Sequence, residues 1–266
     1  MAALPKPRGF LVASTQLPDF SGVFRGRELT RKERRLSSNL DPVNRLLDGG
    51  IPRGRISEII GQQSSGKTSL AASFIAAATQ RGEIIAMVDL EGAFDPPAMA
   101  AAGADLNRIL WASASRVANR RSRGAALAYP IGAAWKAAEL ILEAGGFGLL
   151  VVDFGLRVRS IPPSAALRIA RLAERSGTSV LVLAPYQMCG TFAALSLALS
   201  RFSTLFDNCI DSPAIFDGFA IEALVTRNKL GGAGARGHWL SAPAPPISDP
   251  LRDLPLAENR SARLIG

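Results

Sequence analysis

The run Gly61-Gln62-Gln63-Ser64-Ser65-Gly66-Lys67-Thr68 constrains this chain more than any other stretch. Its spacing, GxxxxGK[ST], is that of a loop whose successive backbone N–H groups turn inward on phosphate oxygens. The glycines permit the tight turn. Lys67 supplies a point charge for the β- and γ-phosphates, and the Thr68 hydroxyl is suited to Mg²⁺. The flanks fit this reading. Ile56–Ile60 reads as a short buried strand entering the loop. From Ser69 to Gln80 the chain reads as an Ala-rich helix leaving it, whose N-terminal dipole favours an anion. Candidate nucleotide contacts are therefore Gly61, Gln62, Gln63, Ser64, Ser65, Gly66, Lys67, Thr68 and Ser69, with ATP and Mg²⁺ as the expected ligands.

A chain of 266 residues with 48% hydrophobic content has room for one α/β domain with tails, or for two small domains. No apolar run approaches the ~20 residues of a membrane span, and the start, Met1 to Arg8, carries no apolar h-region. A cytoplasmic setting with reduced Cys189 and Cys209 is expected. His238 is the only histidine, which argues against a histidine metal cage or a serine–histidine relay. The net charge of +9 is concentrated in two clusters: Arg25, Arg27, Arg31, Lys32, Arg34 and Arg35, and then Arg116, Arg120, Arg121 and Arg123. Such clusters meet DNA or an acidic protein, or serve as a solvated basic face. Neither carries interleaved aromatics for base stacking.

The pattern divides into a basic arm (1–36), an α/β core (37–240) and a Pro-rich tail (241–266). In the arm, Phe10-Leu11-Val12 is a candidate docking strand. In the core, strands are expected at Glu83–Leu90, Arg108–Ala112, Phe147–Val152, Ser179–Leu183, Phe219–Thr226 and His238–Leu240. Helices are expected at Ile131–Ala144, Ala165–Arg175 and Gly190–Phe202. Strands apolar on both faces predict a mostly parallel central sheet covered by helices on both sides, with right-handed crossovers.

Phosphoryl chemistry needs carboxylates opposite the loop. Leu149-Leu150-Val151-Val152-Asp153 ends in one, placed to reach Mg²⁺ at the edge where α/β sheets hold ligands. Val88-Asp89-Leu90-Glu91 offers a second, and Glu91 is the candidate base or water-positioner. Asp95 either contacts a nucleotide base or caps the helix that begins at Pro96.

These segments together resemble the RecA family. The likeness is carried by Gly50-Ile51-Pro52-Arg53-Gly54-Arg55-Ile56, Glu58-Ile59-Ile60-Gly61, Ser64-Ser65-Gly66-Lys67-Thr68, and Asp89-Leu90-Glu91-Gly92-Ala93-Phe94-Asp95-Pro96. It implies a RecA-like P-loop NTPase core. Val225-Thr226-Arg227-Asn228-Lys229-Leu230 resembles the segment whose two basic residues touch ATP across a subunit interface. The likeness therefore implies homo-oligomers in which Arg227 and Lys229 stabilise charge in trans. The departures are specific. The segment after Asp153 is short for a DNA loop. Ala184-Pro185 stands where the family has an Asn-Gln pair whose Gln senses the γ-phosphate, and Gln187 is nearby but out of register. Pro97-Ala98-Met99 replaces the adenine-stacking aromatic, and the resemblance is expected not to extend to the family's C-terminal domain. Phe74-Ile75-Ala76-Ala77 could pass for a recombinase-docking tetrapeptide, but its place on the helix after the phosphate loop marks it as core.

A shortened chain of this kind resembles the ImuA members of the SOS-mutagenesis cassette, also through Ala144-Gly145-Gly146-Phe147-Gly148-Leu149 and Leu172-Ala173-Glu174-Arg175-Ser176-Gly177-Thr178. That resemblance implies an ImuB-like inactive Y-family polymerase and an error-prone DNA polymerase as partners. RecA is a further candidate, with weak, non-specific DNA contact and no membrane. Three functions remain open: an ATP-binding, slowly hydrolysing accessory of translesion synthesis, a filament-forming strand-exchange ATPase, and an ATP-switched regulatory module without a DNA role.

Overall fold

The structure, a computed structural model, describes residues 34–113, 131–156, 161–207 and 215–241. Several expectations fall outside these residues: most of the arm with Phe10–Val12, the cluster Arg116, Arg120, Arg121 and Arg123, Cys209, and all but the first residue of the tail.

A small antiparallel pair opens the described chain. Strand β1 (Arg35–Leu36) pairs with β2 (Ile51–Pro52) around helix α1 (Asp41–Leu46). The order then runs β3 (Ile56–Ile60), α2 (Lys67–Gln80), β4 (Ile85–Asp89), α3 (Pro96–Ala101), a 3₁₀ turn at Leu106–Arg108 and β5 (Ile109–Ser113). After 130 come α4 (Ile131–Ala144), β6 (Leu149–Asp153), α5 (Pro163–Ser176), β7 (Ser179–Ala184) and a second 3₁₀ turn at Gly190–Phe192. Two long strands, β8 (Ala193–Asp207) and β9 (Ile215–Asn228), and the shorter β10 (Arg236–Ser241) follow among the described residues.

Eight strands form one sheet in the order β10-β9-β8-β3-β7-β6-β4-β5. From β8 to β5 all neighbours are parallel, and β9 and β10 add an antiparallel edge. Each apolar strand feeds two cores, because successive side chains point to opposite faces. Met87, Val151 and Leu183 join Leu70 and Phe74 of α2 on one face. Val88, Val152 and Val182 join Trp135 of α4 and Ile169 of α5 on the other. The expected mixed α/β layering, with helices on both sides of a mostly parallel sheet, is therefore present.

Helix α2 is buried at every position from Leu70 to Thr79. This explains its small side chains: alanine lets a helix enclosed on all sides approach its neighbours. Phe74, Ile75, Ala76 and Ala77 lie inside it, so this tetrapeptide presents no docking surface. Asp95 caps α3, its carboxylate accepting from Ala98 N at 3.3 Å, and Pro96 follows at the first helical position. Gly177 closes α5 at φ 70°. No helix among the described residues is long and apolar enough to cross a membrane.

One expectation fails. The segment from Gly190 to Phe202 is not a helix: a single 3₁₀ turn gives way at Ala193 to β8. Leu and Ala favour helices when isolated. Here Leu195, Leu197 and Leu199 alternate with Ser196 and Ala198, a period of two, and pairing to β3 on one side and β9 on the other decides the outcome.

Candidate phosphate-binding site

Strand β3 delivers the chain to the loop, and Gly61 N donates to Ala184 O at 3.1 Å, tying the loop to the end of β7. Ser64 (φ 59°) and Gly66 (φ 89°) take left-handed conformations that curl it. A Cβ on Gly61 would lie 2.3 Å from Ser65 Oγ, and one on Gly66 would lie 2.2 Å from Ile221 Cδ1. Glycine is thus required at Gly61 by close approach, including the Leu199 carbonyl at 2.8 Å, and at Gly66 by its left-handed backbone. Leu70 N donates to Gly66 O at 2.9 Å, closing the first turn of α2. The N–H groups of Lys67, Thr68 and Ser69 are left facing the loop interior, as in any uncapped helix N-terminus. Ser65 Oγ is buried without a hydrogen-bond partner. An oxyanion in the loop would complete this donor set, so the residues present fit a phosphate group.

Lys67 spans the mouth of the loop. Its ammonium donates to Gly61 O, and to Gln62 O at 2.9 Å. Burial lowers its pKa, partly opposed by the negative charge of Asp153. Thr68 and Ser69 are exposed beside it, as are Gln62 and Gln63.

The carboxylates gather at the same sheet edge. Asp89 and Asp153 are in register on neighbouring strands β4 and β6. Asp89 is fully buried and spends both oxygens on backbone, accepting from Gly92 N (2.8 Å), Ala93 N (3.1 Å) and Phe94 N (2.9 Å). It shapes the turn that carries Glu91. Asp153 accepts from Gly155 N at 2.8 Å. Burial, reinforced by the negative charges of Asp89 and Glu91, raises its pKa to about 6. Glu91 accepts from Leu156 N at 3.3 Å, and a Cβ on Gly155 would lie 2.0 Å from Glu91 Cδ, so its carboxylate rests directly over that glycine. Lys67, Asp153 and Glu91 thus converge. A Mg²⁺ ion fits this donor chemistry through the Thr68 hydroxyl and Asp153 carboxylate, where it would neutralise phosphate charge. Asp95 is engaged as a helix cap.

Arg227 and Lys229 lie elsewhere. In the β3–β8–β9 register Arg227 is level with Glu58, three residues before Gly61 and two strands away. That is ~10 Å back along the strand at about 3.3 Å per residue. Arg227 donates to Gly190 O and Lys229 to Thr191 O, so both are fastened to the second 3₁₀ turn. Neither contacts the phosphate loop of its own chain.

Sequence reasoning missed Glu58. It sits in β3, 0% exposed, and accepts from Met188 N (2.8 Å), Cys189 N (2.6 Å) and Ser196 Oγ (2.9 Å). A lone acid in the middle of Ile56-Ser57-Glu58-Ile59-Ile60 was the available signal, since a buried charge persists only when fully hydrogen-bonded. Glu58 joins the strand that carries the phosphate loop to the turn that holds Arg227 and Lys229. Cys189 is buried against it, and burial, then the Glu58 charge, pushes the thiol pKa well up.

Comparison with known proteins agrees with this layout. Residues 35–119 match the family model of the RecA N-terminal domain. Protein RecA of Chlorobaculum tepidum is 34% identical over 157 residues, 59% of this chain and 39% of the relative. Protein RecA of a Picosynechococcus species is 38% identical over 152 residues, 53% of this chain and 42% of the relative. Over 62 residues, Protein RecA of a Roseiflexus species reaches 53% identity. The chain spans about two-fifths of the length of the first two of these relatives. Among solved structures, the RadB recombinase shares the fold at a TM-score of 0.52 and 19% identity, over 76% of this chain and 94% of that one. The core of this chain has a RecA-like fold, and its residues 35–119 are similar to the RecA N-terminal domain.

Proposed function

We propose that this protein binds ATP with Mg²⁺ through its phosphate loop, hydrolyses it slowly, and acts as an accessory in translesion synthesis rather than as a strand-exchange enzyme. Gly61–Ser69 hold the phosphates, with Lys67 on the β- and γ-oxygens and Thr68 and Asp153 on the metal side. Glu91 orients a water. Arg227 and Lys229, remote from their own loop, would reach a neighbouring copy's nucleotide only by leaving the carbonyls of Gly190 and Thr191. The partners are a catalytically inactive Y-family polymerase and an error-prone polymerase, with weak and non-specific DNA contact.

The observation that carries the accessory reading is the connection from β7 to β8. It is only Pro185 to Phe192, and it is pinned from below by Glu58 and from the side by Arg227 and Lys229. It follows Ala184 at Pro185, and neither of these two side chains carries an amide to sense a γ-phosphate; the amide of Gln187, two residues on, is out of register with the family's sensor. Strand exchange needs nucleotide state relayed to an extended DNA-holding segment, and a short clamped turn is a poor one. The recombinase alternative draws support from the names of the relatives, RecA and RadB recombinase. A joint-molecule assay with homologous DNA and ATP separates the two. The accessory reading expects no joint molecules from the purified chain and co-purification with the inactive polymerase. Robust joint molecules from this chain alone would restore the recombinase.

A further inference from the structure

We propose that Arg201 of β8 holds the inner phosphates of the bound nucleotide, reaching them from the flank of the loop. This rests on the reading of Gly61–Thr68 as a phosphate loop and names a contact outside that motif. Strands β3 and β8 run parallel, and their last paired residues are Ile60 and Ala198. There β3 turns into the loop, while β8 runs on, paired with β9 as far as Asp207 and Ile215. The two stay close where they diverge: a Cβ on Gly61 would lie 2.8 Å from Leu199 O. Arg201 follows two residues later, about 6.6 Å along the strand. Leu195, Leu197 and Leu199 join α2 in one core, and alternation puts Arg201 next in that row. Opposite it on β9 is Ile221, and side chains so paired stand about 5 Å apart at Cβ. Ile221 is buried, and its Cδ1 would lie 2.2 Å from a Cβ on Gly66. Arg201 is therefore one side chain removed from the loop, on a paired ribbon, and is itself exposed.

Its freedom to bind distinguishes it from the other cations of this ribbon. On β9 and just beyond it, Arg227 and Lys229 hold carbonyls, and on β10 Arg236 holds the Glu222 carboxylate. Among the described residues Arg201 has no such partner. A guanidinium offers its donors in a planar fork that matches two phosphate oxygens. The sheet order indicates which phosphates. Asp153 ends β6 and Glu91 follows β4; both strands lie on the β7 side of β3, and β8 lies on the other. A triphosphate that points its terminal group at these acids turns its inner phosphates toward β8. Lys67 then serves the outer oxygens, and Arg201 the phosphates that ATP and ADP share.

Calorimetry of Mg–ATP and Mg–ADP into the full chain and its Arg201→Ala and Arg201→Lys variants tests this. Arg201→Ala should weaken ATP and ADP alike by about tenfold, the scale of one hydrogen bond to a charged group. Arg201→Lys keeps the charge without the fork and should recover about half of that loss on a logarithmic scale. Arg171→Ala removes an exposed cation from α5, which packs on the opposite face of the sheet, and should leave both affinities unchanged. Unaltered ATP and ADP binding in a folded Arg201→Ala protein overturns the contact. An equal loss in Arg171→Ala overturns it too, because the effect would then belong to the overall charge. A loss confined to ATP places Arg201 on the terminal phosphate and overturns the assignment to the inner ones. A parent protein that binds neither nucleotide, or binds ATP equally well after Lys67→Ala, overturns the phosphate-loop reading instead.

Discussion

Removing the Glu58 carboxylate should cost this fold more than any surface change, and the replacement chosen should decide how much. In Glu58→Ala the buried N–H groups of Met188 and Cys189 lose their acceptor, and Ser196 loses its own. A stranded buried donor costs about 1–3 kcal/mol. Ser196 Oγ can turn to another acceptor, so two amides count fully, giving roughly 4 kcal/mol. In Glu58→Gln the amide oxygen keeps both N–H groups, and the new NH₂ meets Ser196 Oγ, which can accept; about 1 kcal/mol is expected. Urea denaturation followed by circular dichroism measures both. At a slope of about 2 kcal/mol per molar urea, the alanine variant should move the midpoint down by about 2 M and the glutamine variant by about 0.5 M. Ser196→Ala in each background closes a double-mutant cycle and should show coupling only when Glu58 is present. An alanine variant within about 1 kcal/mol of the parent, or a glutamine variant as damaging as alanine, would refute the reasoning.

Three other perturbations follow from the site. Gly66→Ala imposes a side chain at φ 89°, 2.2 Å from Ile221 Cδ1; Ile221 can shift, but the left-handed backbone cannot be relieved, so stability should fall by about 1–2 kcal/mol and nucleotide binding with it, and a fully stable, binding-competent variant contradicts the loop geometry. Burial raises the Asp153 pKa to about 6, above its unfolded value of ~3.9, so this group's stabilisation is present below pH 4 and is lost as pH rises through 6; measured without Mg²⁺ or nucleotide, Asp153→Asn should gain stability on the parent as pH rises from about 4 to about 6 and level off above it, and a constant difference denies the shift. Glu91→Gln should keep ATP affinity and lower turnover by about 10²-fold or more, which a phosphate-release assay reads; equal turnover moves the water-orienting role elsewhere.

Most of the sheet was legible because its strands are continuous apolar runs. Ile56–Ile60 and Ile131–Ala144 fall where hydrophobic pattern put them, and Asp95-Pro96 caps α3 as that pair of residues suggests. Strand β8 was misread for a physical reason: Ala and Leu carry no strand preference of their own, and the partners of its first half, Leu195–Ser200, lie 22 to 33 residues away on β9 and more than 130 on β3. The site divides the same way. Gly61–Thr68 is local, so its chemistry shows in eight letters. Glu58 was not visible as a buried acceptor, because its donors are 130 and 131 residues distant. Asp89 shapes the neighbouring turn through three backbone N–H groups, a role that the acid at a strand end does not by itself announce. Arg227 and Lys229 were visible as a basic pair, but not the carbonyls of Gly190 and Thr191 that hold them.

The central claim is that the Gly61–Thr68 loop holds nucleotide phosphates, and titration calorimetry of Mg–ATP into the parent and Lys67→Ala proteins tests it most directly. Lys67 is the one side-chain cation at the loop mouth among the described residues, donating there to Gly61 O and Gln62 O. Its removal should weaken ATP by at least about tenfold, or 1.4 kcal/mol, while circular dichroism shows the fold unchanged. Equal affinity in a folded Lys67→Ala protein would contradict the account.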